Sequence, residues 1–176
     1  FASRSAVFGT RGAAGSAHPL ATLAGIDILR KGGSAADAAI AMNACLGFLE
    51  PTANGIGGDI YILMWDPKRR EVQGLAGSGR SPRGLSLETA RSRARDGVLP
   101  SHGAVTVSVP GAVDGWWTLH QRHGRLKWAE LFEPAIGYAS EGAPVSPVVA
   151  YYLDAGVRGL RRPERGIEEI ENALRT

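Results

Sequence analysis

Cysteine, lysine, histidine and long apolar runs are all scarce in this 176-residue chain, and each scarcity removes a class of function. A single cysteine, Cys45, cannot form an internal disulfide, and its alanine-rich surroundings make it a small buried hydrophobe. One cysteine and four scattered histidines give no zinc-binding spacing, so no metal is expected. No apolar run approaches the roughly 18 residues that a membrane-spanning helix needs. The opening "FASRSAVFGTRG" lacks the apolar centre of a signal peptide, although the chain begins at Phe1 and not at Met. A cytoplasmic location is therefore the expectation, with a periplasmic or secreted one left open. Only three lysines accompany 17 arginines, and the mild net charge of +3 is spread along the chain without interleaved aromatic residues. Solvated helix faces account for these arginines, and no nucleic-acid partner is expected. The P-loop, the G-x-S-x-G elbow and H-E-x-x-H are missing as well. "GTRGAAG" (9–15) has the glycines of a dinucleotide loop but the wrong spacing, and no βαβ unit frames it.

What is abundant is glycine, 24 residues or about twice the usual share, with 44% apolar residues, enough for a real core. "SAHPLATLAGIDILRKGG" predicts a helix with Pro19 in its first turn and Gly32-Gly33 at its end. Ser34 is the expected N-cap of a second helix, with Asp37 in the capping-box position and small side chains along "AADAAIAMNACLGFLE". "DIYILMW" (59–65) predicts a strand covered on both faces, paired in an antiparallel hairpin with "EVQGLAGSG". "SLETARSRARDG" predicts an exposed helix closed by Gly97, and "GAVTVSVPG" alternates as a third strand. Helical patterns follow in "AVDGWWTLHQRHG", "WAELFEPAIGYASEG", "SPVVAYYLDAG" and the tail "GIEEIENALRT", with Trp116, Trp117 and Trp128 as core bulk. This order favours an α+β fold, helices layered on a largely antiparallel sheet. Such a sheet exposes strand edges and an apolar face unless partner strands cover them.

Few residues invite chemistry on their own. His18, His102, His120 and His123 have no carboxylate or cysteine partner in sequence, which makes them structural or exposed. Asp59, at the head of the first strand, is of a kind that usually caps backbone donors. Arg80 in "GSGRSPRG" (77–84) sits on a short, stiff segment from which its planar fork could meet a carboxylate bidentately. A surface arginine in a turn is the plainer alternative. Gly55, Gly57 and Gly58, just before the first strand, either turn a corner or let a backbone approach closely.

Taken in order, "SAHPLATLAGIDILRKGGSAADAAIA", "EPTANGIGGDIYIL", "GSGRSP" and "VTVSVPGAVDGW" resemble the N-terminal part of the γ-glutamyltranspeptidase family over roughly residues 6 to 150. The resemblance implies an N-terminal-nucleophile (Ntn) hydrolase, with an αββα four-layer sandwich to which this chain gives the N-terminal part of the large subunit, so residues 1–176 are expected to be an incomplete domain that is not stable without the small subunit's strands. It implies a precursor that cleaves itself, and a small subunit that begins with the catalytic threonine. The family's "T-T-H"-type junction is absent from this sequence, so the resemblance leaves no catalytic residue in this chain. It implies a (large+small) heterodimer or its dimer, a small-molecule γ-glutamyl substrate such as glutathione, and no cofactor. Arg80 matches the family's substrate-carboxylate arginine, while Gly55, Gly57, Gly58 and Asp59 belong to a loop expected to support the substrate pocket by packing tightly beside it and threading into the central sheet. The sequence departs from better-known members in "GSGRSP" and in Asp59, where many members have a further glycine. Both departures are similar to a bacterial branch that includes amidases of cephalosporin- or oxamate-type substrates. A non-catalytic binding module on the same scaffold is the alternative from another class.

Overall fold

Pro19 and the glycine pair at 32–33 frame the first helix as their backbone preferences require. The computed structural model describes residues 5–101 and 103–160. His102 and the helix expected over 166–176 lie outside the described residues. By internal contact the chain divides into two units, one of residues 1–55 with 116–144, the other of residues 56–115 with 145–176.

In the first unit, α1 (Pro19–Arg30) is capped by His18, whose Nδ1 accepts the Leu20 N–H at 3.2 Å. Gly32, at φ 91°, turns the chain out of the helix, and the Gly33 N–H returns to the Ile28 carbonyl at 3.0 Å. Two residues later α2 (Ala35–Leu49) begins with the expected capping box: Asp37 N–H to Ser34 Oγ at 3.1 Å, Ser34 N–H to Asp37 Oδ2 at 2.8 Å. The two helices approach closely because their facing residues are small. A β-carbon at Gly25 would stand 2.6 Å from Met42 Cγ. Ala21, Ala24, Cys45 and Leu49 form a buried cluster, with Leu20, Leu46, Ala135, Tyr138 and Ala143 packed on it. Full burial of a side chain such as Ile28 or Ile40 stabilises by about 1.5–3 kcal/mol. α5 (Glu133–Glu141) covers part of this cluster and ends at Gly142, φ 89°. Trp116 is buried and donates from Nε1 to Asn43 Oδ1 at 2.8 Å, while Trp128 stacks edge-on against Trp117 and Phe132.

In the second unit, β1 (Ile60–Asp66) and β2 (Glu71–Gly77) form the expected antiparallel hairpin, in register Ile60 with Gly77 through Asp66 with Glu71. Asp66 caps the turn, accepting the N–H groups of Lys68 and Arg69. The expectation that β1 is covered on both faces is corrected. Tyr61, Leu63 and Trp65 alternate outward and are exposed, because among the described residues the sheet has only these two strands. The strand expected in "GAVTVSVPG" is corrected too. A single 3₁₀ turn occupies Ala104–Thr106, and residues 107–110 run on without a ladder. Its donors go elsewhere: Val109 N–H to the Arg80 carbonyl and Gly111 N–H to the Gly58 carbonyl, while Pro110 has none to offer. α3 (Leu87–Arg93) is exposed, capped by Ser86, and stops before Gly97. α4 (Ala112–His123) gives its first turn to this unit and the rest to the first unit. α6 (Pro147–Leu160) carries an Asp154–Arg158 ion pair one turn apart.

Candidate functional site

The head of β1, the end of β2 and the approach to α4 meet almost entirely through backbone. The Gly58 carbonyl accepts two N–H donors, from Gly111 at 3.1 Å and Ala112 at 2.9 Å. The Arg80 carbonyl accepts the Val109 N–H at 2.9 Å. Asp59 Oδ1 accepts the Gly79 N–H at 3.1 Å and makes a longer contact of 3.4 Å with Ser108 Oγ.

Glycine is what allows this approach. A β-carbon at Gly79 would fall on the Val109 carbonyl, and one at Gly111 on the Gly77 carbonyl. At Gly77 it would lie 2.6 Å from Ile60 Cγ2 and 3.1 Å from the Cα of Gly115. Backbone atoms cannot swing aside as a flexible side chain can, so these positions admit no larger residue without movement of the segment.

Arg80 emerges from this junction exposed, and its guanidinium makes no ion pair or hydrogen bond among the described residues. It is a cation on a braced backbone with its fork free, able to pair bidentately with a carboxylate. The structure brings Asp59 and the Arg80 segment together, with Gly58 beside them. At Gly55 and Gly57 a β-carbon would meet nothing within 4 Å, so the close approach expected there belongs instead to Gly77, Gly79 and Gly111. Ser108 and these three glycines escaped the sequence reading as site residues. "GSG" and "VPG" were visible as turn signals, but nothing in their spacing says that they face each other.

Other ionisable groups serve packing. Burial pushes the Cys45 thiol up to about 11, and burial, with Cys45 and Asp27 nearby, raises the Tyr138 phenol. Buried Asp37 accepts not only Ser34 N–H but also the N–H groups of Arg125 at 2.9 Å and Leu126 at 3.2 Å. His120 donates from Nε2 to the Leu126 carbonyl at 2.9 Å, so Leu126 is held from both sides. Among the described residues no group of three or more histidine, cysteine or acidic side chains converges, and no helix is long and apolar enough to cross a membrane.

The gamma-glutamyltranspeptidase family model matches residues 21–172. The glutathione hydrolase-like YwrD proenzyme of Bacillus subtilis (strain 168) is 39% identical over 141 residues, 80% of this chain and 26% of that protein. The cephalosporin acylase of Bacillus halodurans superposes with a TM-score of 0.76 at 39% identity, covering 92% of this chain and 31% of that one. The gamma-glutamyltranspeptidase of Pseudomonas nitroreducens superposes at 0.75 and 30% identity, covering 86% and 45%. The chain spans about a quarter of the length of the curated relatives it matches. Helices and hairpin in this order are the N-terminal part of the α+β Ntn-hydrolase fold, and the chain belongs to the gamma-glutamyltranspeptidase family.

Proposed function

We propose that the protein is an amide hydrolase or acyltransferase acting on γ-glutamyl compounds, glutathione among them, and that this chain supplies the group that grips the substrate's α-carboxylate. The observation that carries the reading is the unpaired guanidinium of Arg80 on a segment braced by the Arg80–Val109 and Asp59–Gly79 hydrogen bonds. The nucleophile is the N-terminal threonine of a small subunit cut from the same precursor, paired with this part of the large subunit in a cytoplasmic heterodimer. Its α-amine takes the hydroxyl proton as the oxygen attacks the γ-carbonyl. The tetrahedral intermediate collapses, the C–N bond breaks, and the leaving amine takes the proton. Water or an acceptor amine then attacks the acyl ester and frees the threonine. No cofactor enters these steps.

A charge-assisted pair between Arg80 and the substrate carboxylate contributes about 1.5–3 kcal/mol, roughly tenfold to a hundredfold or somewhat more in selectivity. Arg80→Ala in the full-length precursor should therefore lower kcat/KM on γ-glutamyl-p-nitroanilide by about that factor, with self-cleavage intact. An unchanged kcat/KM would remove Arg80 from the site. A second reading, an acyl amide other than γ-glutamyl, is favoured by the 39% identity to a cephalosporin acylase. Assay of the purified mature protein with a glutaryl-cephalosporin and an oxamate beside the γ-glutamyl anilide separates the two. A clear preference for either of the first two would overturn γ-glutamyl specificity.

A further inference from the structure

We propose that Asp59 is a positioning residue for Arg80, acting as an acceptor that fixes the backbone one residue before the arginine. This rests on Arg80 as the carboxylate grip. Asp59 immediately precedes β1, so its Cα is held by the hairpin ladder on one side and by the doubly accepting Gly58 carbonyl on the other. From that fixed point Oδ1 reaches across to the Gly79 N–H at 3.1 Å. The same oxygen touches Ser108 Oγ at 3.4 Å, next to Val109, whose N–H holds the Arg80 carbonyl at 2.9 Å. The carboxylate therefore ties both segments that flank Arg80 to the head of the strand. No other side chain among the described residues binds the Gly77–Arg80 backbone.

The geometry says what Asp59 does and what it leaves alone. It makes no ion pair with Arg80, so it does not neutralise the guanidinium. The Gly79 N–H is exposed enough to find water if the carboxylate is removed, so the fold is expected to survive that loss. The precision of the arginine does not. Gly79 has no side chain to restrain it, and the guanidinium lies at the far end of a long side chain, so a small backbone drift is multiplied at the fork. A displacement of about 1 Å at a binding group can cost up to about a hundredfold.

The test uses the full-length, self-processed enzyme with two substrates, γ-glutamyl-p-nitroanilide and 4-aminobutyryl-p-nitroanilide, which lacks the α-carboxylate. Asp59→Ala should lower kcat/KM on the γ-glutamyl substrate by about tenfold, mainly through KM, and leave the other substrate within about twofold. Asp59→Asn keeps the acceptor oxygen and should return to within about threefold of wild type. If Asp59→Ala fails to mature, Asp59→Glu takes its place. It keeps the charge but moves the oxygen by one methylene, and should show the same substrate-selective loss. Equal losses on both substrates, no loss on either, or an Asn variant as poor as Ala would each overturn the proposal. Arg80→Ala is run alongside. Its failure to discriminate the two substrates would sink the arginine reading itself, whereas a discriminating Arg80→Ala with an indifferent Asp59→Ala would sink only the positioning role.

Discussion

Replacing Asp37 by alanine is expected to be among the most damaging single changes in the described chain. The side chain is wholly buried, and its Oδ2 accepts three backbone donors: Ser34 at 2.8 Å, Arg125 at 2.9 Å and Leu126 at 3.2 Å. The first belongs to the N-terminus of α2, and the other two to a loop 88 and 89 residues away. Alanine removes the acceptor and leaves all three N–H groups without it. Each buried donor left unmade costs about 1–3 kcal/mol, and the partial burial of these three places them at the lower end. The sum is about 3–5 kcal/mol, a large share of the ~5–15 kcal/mol that holds a domain folded. Asp37→Asn separates acceptor from charge. One amide oxygen can take the place of Oδ2, so only the charge assistance is lost, about 1–2 kcal/mol. The assay is denaturant unfolding of the full-length protein followed by tryptophan fluorescence. Trp116, Trp117 and Trp128 lie in the same unit as Asp37 and report on it directly. The midpoint should fall in the order wild type, Asn, Ala, with little change in slope. A loss below about 1 kcal/mol for alanine, or an Asn variant as unstable as Ala, would refute the accounting by backbone donors.

Gly79→Ala should disable the proposed carboxylate grip, because its β-carbon would occupy the position of the Val109 carbonyl and force apart the segments that the Arg80–Val109 bond joins. We expect at least about a tenfold fall in kcat/KM on γ-glutamyl substrates, while Gly84→Ala, where a β-carbon meets nothing within 4 Å, should match wild type; equal activity of the two variants would refute the close-approach argument. Cys45, with no exposed surface and a thiol pushed up to about 11, stays protonated and inert in the folded protein at pH 8. Mass spectrometry of the Cys45 peptide after treatment with a thiol reagent should find it labelled in denaturant and unmodified in native buffer, and rapid native labelling would contradict its burial.

The helices of the first unit were legible because their signals are local. Pro19 sets the first turn of α1, Gly32 its end, and Ser34 with Asp37 the start of α2, each within four residues of what it controls. The hairpin was legible for the same reason, since Asp66 and the residues after it make their own turn. "GAVTVSVPG" misled because alternation reports only that a segment is extended, not what its N–H groups bond to. In the structure they bond to Arg80 and Gly58, segments 29 and 53 residues earlier in the chain. Asp37 shows both sides of this limit. Its capping role could be read three residues from Ser34, but its hold on Arg125 and Leu126 could not be read at all. Arg80 was singled out by its setting between glycine and Ser-Pro and given weight by the family resemblance, whereas the Asp59–Gly79 bond that braces its backbone spans 20 residues and has no periodic signature.

That bracing explains why the arginine remains available. A cation on a loop is usually steadied by pairing its own charge with a neighbouring carboxylate, and an exposed pair of that kind is worth only about 0–1 kcal/mol. Such a pair at Arg80 would also have to be broken before a substrate carboxylate could enter. Here the nearby carboxylate of Asp59 is engaged by the Gly79 N–H, so the acid steadies the backbone without touching the guanidinium. The glycines make this division of labour possible, since only a backbone free of β-carbons brings residues 77–79 within reach of residues 109–111 and of the strand head. The backbone that carries the positive charge is thus braced by hydrogen bonds that do not consume the charge. Every substitution that damages those bonds should weaken recognition of the carboxylate more than it weakens the fold.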